Sequence, residues 1–387
     1  MDDGWYRPDD ESWHGDEDYN PAVADALRCA HESLAANPKS ADVYASALAC
    51  LEFVIDAPMS KRQRLAYLFV RSLALATYDP PSPALDPLDE ALELAIERDI
   101  GRAQEDLLLL RASVNHAILQ VPDAIEDLRD CLGLIAVQAE HRELTPAERD
   151  TRLQALLQRA GHEFLVGDPE SCEQLLDRAA VLIPQVPGNL LAPSTLAWTR
   201  ALLLRWRGQY EVALHHAMAA AEGYARHGAP GMTSRIQGIV ADIALDLAER
   251  AQHNGQELAP RAFLDIAERY LQSAIEVAAA ADFESSQTMA FITHARLRQL
   301  QHEPGDRSDW LQELADLSLQ HADMAVAAQA YTQLGREHEA IGDDEAASAW
   351  YTKALAVLKE SQLSALGIWA QRGLWRIQGE MSPDERP

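Results

Sequence analysis

Lysine is nearly absent from this sequence. Only Lys39, Lys61, Lys353 and Lys359 occur in 387 residues, so almost every positive charge is an arginine. Arginine presents a planar fork that pairs bidentately with carboxylates, although a codon bias yields the same composition. Positive charge of any kind is scarce: 33 basic residues face 61 acidic ones, for a formal net charge of −28. Nucleic-acid binding needs clustered basic residues to replace counterions. The charge balance therefore argues against direct contact with DNA or RNA, and equally against an anionic bilayer. No apolar run reaches the 18 or so residues of a membrane-spanning helix. The opening "MDDGWYRPDDESWHGDEDYN" is acidic and lacks the apolar stretch of a signal peptide, so a cytoplasmic location is expected.

Cysteine is also scarce. Cys29, Cys50, Cys131 and Cys172 are scattered, with no Cys-x-x-Cys. They read as small buried packing residues, and a disulfide framework is not expected in a reducing compartment. Catalytic signatures are missing as well: no His-Glu-x-x-His, no Gly-x-Ser-x-Gly, no phosphate loop and no dinucleotide fingerprint. The 13 histidines lack ligand spacing; adjacent His215 and His216 point about 100° apart on a helix. "GDDEAA" after Ile341 lacks the order of a calcium loop and reads as a capped turn. No catalytic residue, metal or cofactor is predicted, and the chain is not expected to be an enzyme.

What is abundant is alanine and leucine. Hydrophobic residues make up 48% and aromatics 6% of the chain, without runs of alternating β-branched residues. This mix favours helix over sheet. Helical periods follow one another from 21–36 to 362–378, seventeen in all. Their breaks carry Pro, Gly, Ser and Asp, as in "LTPAERD" and "RHGAPGMTS". The prolines of "YDPPSPALDP" suggest a boundary. The expected organisation is an acidic aromatic arm at 1–20, an N-terminal helical unit at 21–78, a repeat array at 84–378 closed by a capping helix, and a polar tail at 379–387. The arm holds eight acids with Trp5, Tyr6, Trp13 and Tyr19, a composition suited to docking on a groove, its own or a partner's.

In "YTQLGREHEAIGDDEAASAWYTKAL", Tyr331, Leu334, Gly335 and His338 fall on one side of a helix, Gly342 ends it, and Ala347, Tyr351 and Ala354 mark a second helix. Gly335 and Ala347 are small where two helices cross, and Tyr331 and Tyr351 fill the space beside them. The pattern resembles the tetratricopeptide repeat, with His338 where Tyr is usual and Lys359 where Pro is usual. Ala160, Gly167, Cys172, Leu176, Ala179 and Pro184 fill equivalent slots in a second stretch. Ala201, Leu204, Gly208, Ala213, Ala217 and Ala220 fill them in a third. A weaker version surrounds Ala112, Asn115, Ala124, Leu128 and Cys131. The units are longer than the family's, with 41 residues from Ala179 to Ala220 against about 34. The resemblance implies an all-α, right-handed solenoid of antiparallel hairpins with 16–17 helices.

It also implies a concave face that holds peptides. In "WTRALLLRWRG", that face would carry Trp198, Leu202, Arg205 and Trp206: apolar area beside a partner for a carboxylate. Thr332, Arg336 and Glu339 of the later repeat would share it, joined by Arg235, Phe291 and His294. The expected function is a non-catalytic scaffold or adaptor for a protein or peptide segment. One alternative is a ligand- or peptide-responsive sensor, since the overall plan also resembles bacterial peptide-receiver regulators, though no basic DNA-reading helix is present. Another is an enzyme on a helical-repeat scaffold.

Overall fold

The computed structural model describes residues 16, 18–36, 41–76, 81–256, 259–281, 284–301, 307–320 and 323–379. The expectations for most of the acidic arm, and for the tail after Gly379, lie outside the described residues. Among the described residues there is no strand. The helices are α1 (Pro21–Ala36), α2 (Ala41–Glu52), α3 (Lys61–Leu75), α4 (Leu85–Glu97), α5 (Gly101–Ala117), α6 (Val121–His141), α7 (Pro146–Leu165), α8 (Pro169–Leu182), α9 (Ala192–Trp206), α10 (Tyr210–Arg226), α11 (Pro230–His253), α12 (Ala259–Ala281), α13 (Glu284–Leu300), α14 (Ser308–Gln320), α15 (Met324–Ala340), α16 (Asp344–Glu360) and α17 (Ile368–Gln378). Each matches a helical period of the sequence. The last starts late, because Ser364–Gly367 form a 3-10 turn first.

Local chemistry explains the helix ends. Ser60 caps α3 in a reciprocal box with Gln63, and Asp168, Asp323 and Asp343 accept from the third backbone N–H of α8, α15 and α16. Gly167, Gly208 and Gly342 take φ of 91°, 75° and 79° at the three hairpin turns where the repeat pattern places them.

The chain divides into two compact units, Met1–His162 and Glu163–Pro387. The proline-rich loop before α4 lies inside the first of these units. Prolines interrupt the helix there, but the core continues past them: Leu65 and Leu68 of α3 share one cluster with Leu88 and Ala91 of α4.

In the first unit α1 packs on α2, α3 on α4 and α5 on α6. Cys131 is fully buried, as the sequence suggested. Cys29 and Cys50 depart from that expectation. They are disulfide-bonded between α1 and α2, with Cα atoms 6.2 Å apart. Antiparallel pairing of two short helices brings together positions that sequence spacing leaves unrelated.

In the second unit α9 packs on α10, α11 on α12 and α15 on α16, while α13 lies between α11 and α15. The seam of α15 and α16 is the predicted one: Tyr331, Ala347 and Tyr351 are fully buried. Cys172 is buried here as well. This unit also closes on itself. Arg372 of α17 donates to the Tyr210 hydroxyl (2.8 Å) and to the Trp206 carbonyl (3.0 Å), and Ser364 donates to the Val166 carbonyl (2.8 Å).

Candidate functional site on the second unit

Arg205, near the end of α9, is the organising residue of the odd-numbered helices. It is 7% exposed, and a guanidinium so buried needs carboxylates. Its Nε donates to Asp246 (2.7 Å), and Nη1 lies 3.5 Å from Asp242. Arg296 of α13 reaches the other Asp246 oxygen (2.7 Å) and Glu249 (2.6 Å). Asp246 thus gives one oxygen to each arginine, joining α9, α11 and α13. Asp242, Asp246 and Glu249 stand at i, i+4 and i+7 of α11, one face of that helix. Burial pushes the Asp246 carboxyl up, but Arg205 and Arg296 outweigh it and hold the group well below the ordinary carboxylate range. Glu249 is likewise raised by burial and pulled down to about 2 by Arg296 and Arg336.

The indole of Trp369 on α17 lies under the Arg205 guanidinium, 4.2 Å from centroid to Cζ. Farther along α17, Arg376 forks onto Glu339 of α15 (2.7 and 2.8 Å), and Glu339 also accepts from the Tyr351 hydroxyl (2.7 Å). The predicted cover for the last seam therefore also ties α17 to α9.

Toward the N-terminal half of α11, Arg235 lies over the ring of Trp198, 5.5 Å from its centroid. Trp198 packs partly on the core formed by α9–α13. Arg235 remains exposed, and Leu202 and Trp206 are half-buried. Burial of its guanidinium beside Trp198 lowers the pKa of Arg235, and the charge of Asp323 opposes this.

The remaining predicted residues behave differently. Arg336 lies near Asp246, Glu249 and Arg296 electrostatically. Thr332 is 8% exposed, and its hydroxyl donates to the Ala328 carbonyl of its own helix. His294 accepts from Arg298 (3.3 Å), which points to Glu268 of α12. Two residues from Arg296, it is turned about 200° away from the cluster. Phe291, 40% exposed, is turned about 140° away by the same count. The cluster of Arg205 and Arg296 does not include these two. Asp242, Asp246, Glu249, Arg296, Trp369, Arg372 and Arg376 were not among the predicted residues. The acidic i, i+4, i+7 stripe inside an apolar helix was the signal for three of them.

Among the described residues, no group of three or more His, Cys, Asp or Glu has the arrangement of a metal site, and no helix is long and apolar enough to cross a membrane.

No known family profile matches the chain, and no curated protein matches it in sequence. Solved structures do match in shape. A Rap protein complexed with competence and sporulation factor aligns over 93% of this chain and 99% of its own, with a TM-score of 0.56 and 13% identity. The apo form of RapI aligns over the same shares, with a TM-score of 0.49 and 12% identity. A signal-transduction ATPase with a tetratricopeptide repeat sensor, from Pyrococcus horikoshii, aligns over 89% of this chain and 52% of its own, with a TM-score of 0.43 and 13% identity. Identity this low speaks for the fold and leaves the chemistry to the residues. The repeat slots, the paired helices and the likeness to the Rap protein agree: the chain has the fold of a tetratricopeptide-like helical-repeat protein.

Proposed function

We propose that the face formed by α9, α11, α13, α15 and α17 binds a peptide or protein segment without catalysis, as a scaffold or adaptor. The observation that carries this reading is the Trp198–Arg235 pair. An indole anchored in the core, with an accessible guanidinium above it and half-buried Leu202 and Trp206 on the same helix, offers apolar area and a charge partner together. Such anchors dominate peptide and protein interfaces. The Rap protein of like fold was solved with competence and sporulation factor, which supports the same use of the scaffold here. A second reading, a ligand-responsive sensor, is favoured by the contacts of α17 with α9, because a segment seated beside Arg205 would bear on both helices.

A photo-crosslinking residue in place of Arg235 tests the proposal in cells of the native host. The control is the same residue in place of Val212, which is 50% exposed on α10. A discrete adduct from position 235 alone supports the reading. Equal adducts from both positions, or none from 235, overturn it.

A further inference from the structure

The second unit contains more shielded donors than acceptors, and the imbalance has a direction. Among the buried N–H groups on the odd-numbered helices that lack a hydrogen-bond acceptor are Trp198 Nε1, Arg296 Nε, Arg336 Nε and Trp369 Nε1. Buried polar groups in folded proteins are paired as a rule, so such a set calls for an explanation. An unmatched oxygen of this unit is Gln237 Oε1, and the same amide donates to Ser273 on α12, away from the cluster.

Arg336 is the most exceptional of the four. Asp246 and Glu249 are committed to Arg205 and Arg296, and Glu339 to Arg376 and Tyr351. Among the described residues no carboxylate comes within ion-pair distance of Arg336. Arg235 has none within that distance either; its close partner is the Trp198 ring. Two arginines without ion pairs in a chain of net charge −28 are not explained by a shortage of acids.

Their spacing is informative. Arg235 feels the charge of Asp323 at the start of α15, and Arg336 feels Asp246 and Glu249. Eleven residues of α11 separate Arg235 from Asp246, and thirteen of α15 separate Asp323 from Arg336. At about 1.5 Å per residue the two intervals are roughly 16 and 20 Å. Hydrogen bonds show that the two helices run in the same sense on either side of α13: Arg296 reaches Asp246 and Gln252 donates to the Leu300 carbonyl on the α11 side, while Gln329 donates to Thr293 and Gln299 to the Arg336 carbonyl on the α15 side, which puts Arg235 and Arg336 at opposite ends of that interval. An extended chain covers it with about five or six residues.

We infer that the segment bound on this face carries carboxylates at both ends of a stretch of about five or six residues, one held by Arg336 and the other by Arg235. The inference rests on the peptide-binding reading and specifies its chemistry. Guanidinium–carboxylate pairing is bidentate and directional, so the two arginines would set polarity and register while Trp198 and Leu202 supply apolar contact. The net negative charge of the protein does not forbid this. At physiological salt it is screened over about 8 Å, which leaves the two arginines as the short-range interaction.

The test is affinity selection of a defined random hexapeptide pool by the full chain, read by mass spectrometry. It is followed by titration of the selected peptides and of their neutral counterparts, with Glu and Asp changed to Gln and Asn and the C-terminus amidated. Expected are selected peptides with a carboxylate at or near each end and at least a tenfold loss on neutralisation. Arg336→Gln and Arg235→Gln should each erase the difference belonging to one end, leave binding of the neutral counterpart unchanged, and leave the unfolding temperature no lower. Selection of neutral or basic peptides, or an equal effect of Arg336→Gln on acidic and neutral forms, overturns the carboxylate assignment and leaves peptide binding standing. No selection from the pool overturns the peptide reading, and this inference with it.

Discussion

Gly335 and Gly373, on α15 and α17, abut opposite edges of one ring, that of Tyr351. A Cβ on Gly335 would lie 2.5 Å from Cε1, and a Cβ on Gly373 would collide with Cε2 and Cζ. The ring is fully buried, and its hydroxyl is fixed on Glu339, so it has nowhere to retreat. Gly335→Leu should therefore destabilise the protein by about 1–3 kcal/mol through overpacking. Trimming the ring with Tyr351→Leu should restore part of the loss in a Gly335→Ala background. Denaturation midpoints of the two single variants and the double variant check this, and additive losses would contradict the shared contact.

Arg296 and Arg336 should respond oppositely to the same substitution. Arg296→Met leaves buried Asp246 with Arg205 alone and takes from Glu249 its strongest partner, and should cost about 3–5 kcal/mol. Arg336→Met removes a charge that makes no hydrogen bond or ion pair among the described residues and should leave stability unchanged or slightly raised. Chemical denaturation of both variants decides the matter. A large loss for Arg336→Met would show that its role is structural.

The first unit supplies a pH prediction. Glu105 is completely buried, and burial raises its pKa from 4.5 to about 6 despite hydrogen bonds from Arg102 and Gln138. Between those values the folded chain holds a proton that the unfolded chain has released. Its contribution to stability therefore falls as pH rises from about 4.5 to 6, and the full cost is present at neutral pH. Glu105→Gln should gain about 1–2 kcal/mol over the parent at pH 7 and nothing at pH 4. Thermal unfolding of both proteins at the two pH values measures the difference.

Arg372 is 6% exposed and holds α17 to α9 and α10 through the Trp206 carbonyl and Tyr210 hydroxyl. Arg372→Ala removes both bonds and should cost about 1–3 kcal/mol. Amide exchange should rise in α17 first, with α15 and α16 retaining their protection. Uniform loss of protection across the unit would contradict a local tie.

The helices were legible because alanine and leucine recur at helical spacing and several breaks carry a capping residue or a left-handed glycine, as at Gly342 and Asp343. The seam at Gly335 was legible because small and large side chains alternate across it. The Asp246 cluster was harder to read. Arg296 in "HARLRQL" looks like any surface arginine, and its burial depends on α11 lying against α13, which local sequence does not encode. Where His294 and Phe291 stand relative to Arg296 was equally illegible, since a shift of two residues turns a helix face by about 200°. The Cys29–Cys50 pairing and the division near His162 also arise from packing between segments that no local pattern joins.

The return of α17 to α9 has a kinetic meaning. An open repeat array gains stability from nearest neighbours alone, so it can nucleate anywhere and lose terminal repeats one at a time. Here Ser364 meets Val166 across 198 residues, and Arg372 meets Trp206 across 166. Contacts so distant in sequence raise the contact order, and with it the chain entropy that must be surrendered before they form. The second unit should therefore fold more slowly than a linear array of equal length and unfold with greater cooperativity, as a ring opens only when its clasp gives way.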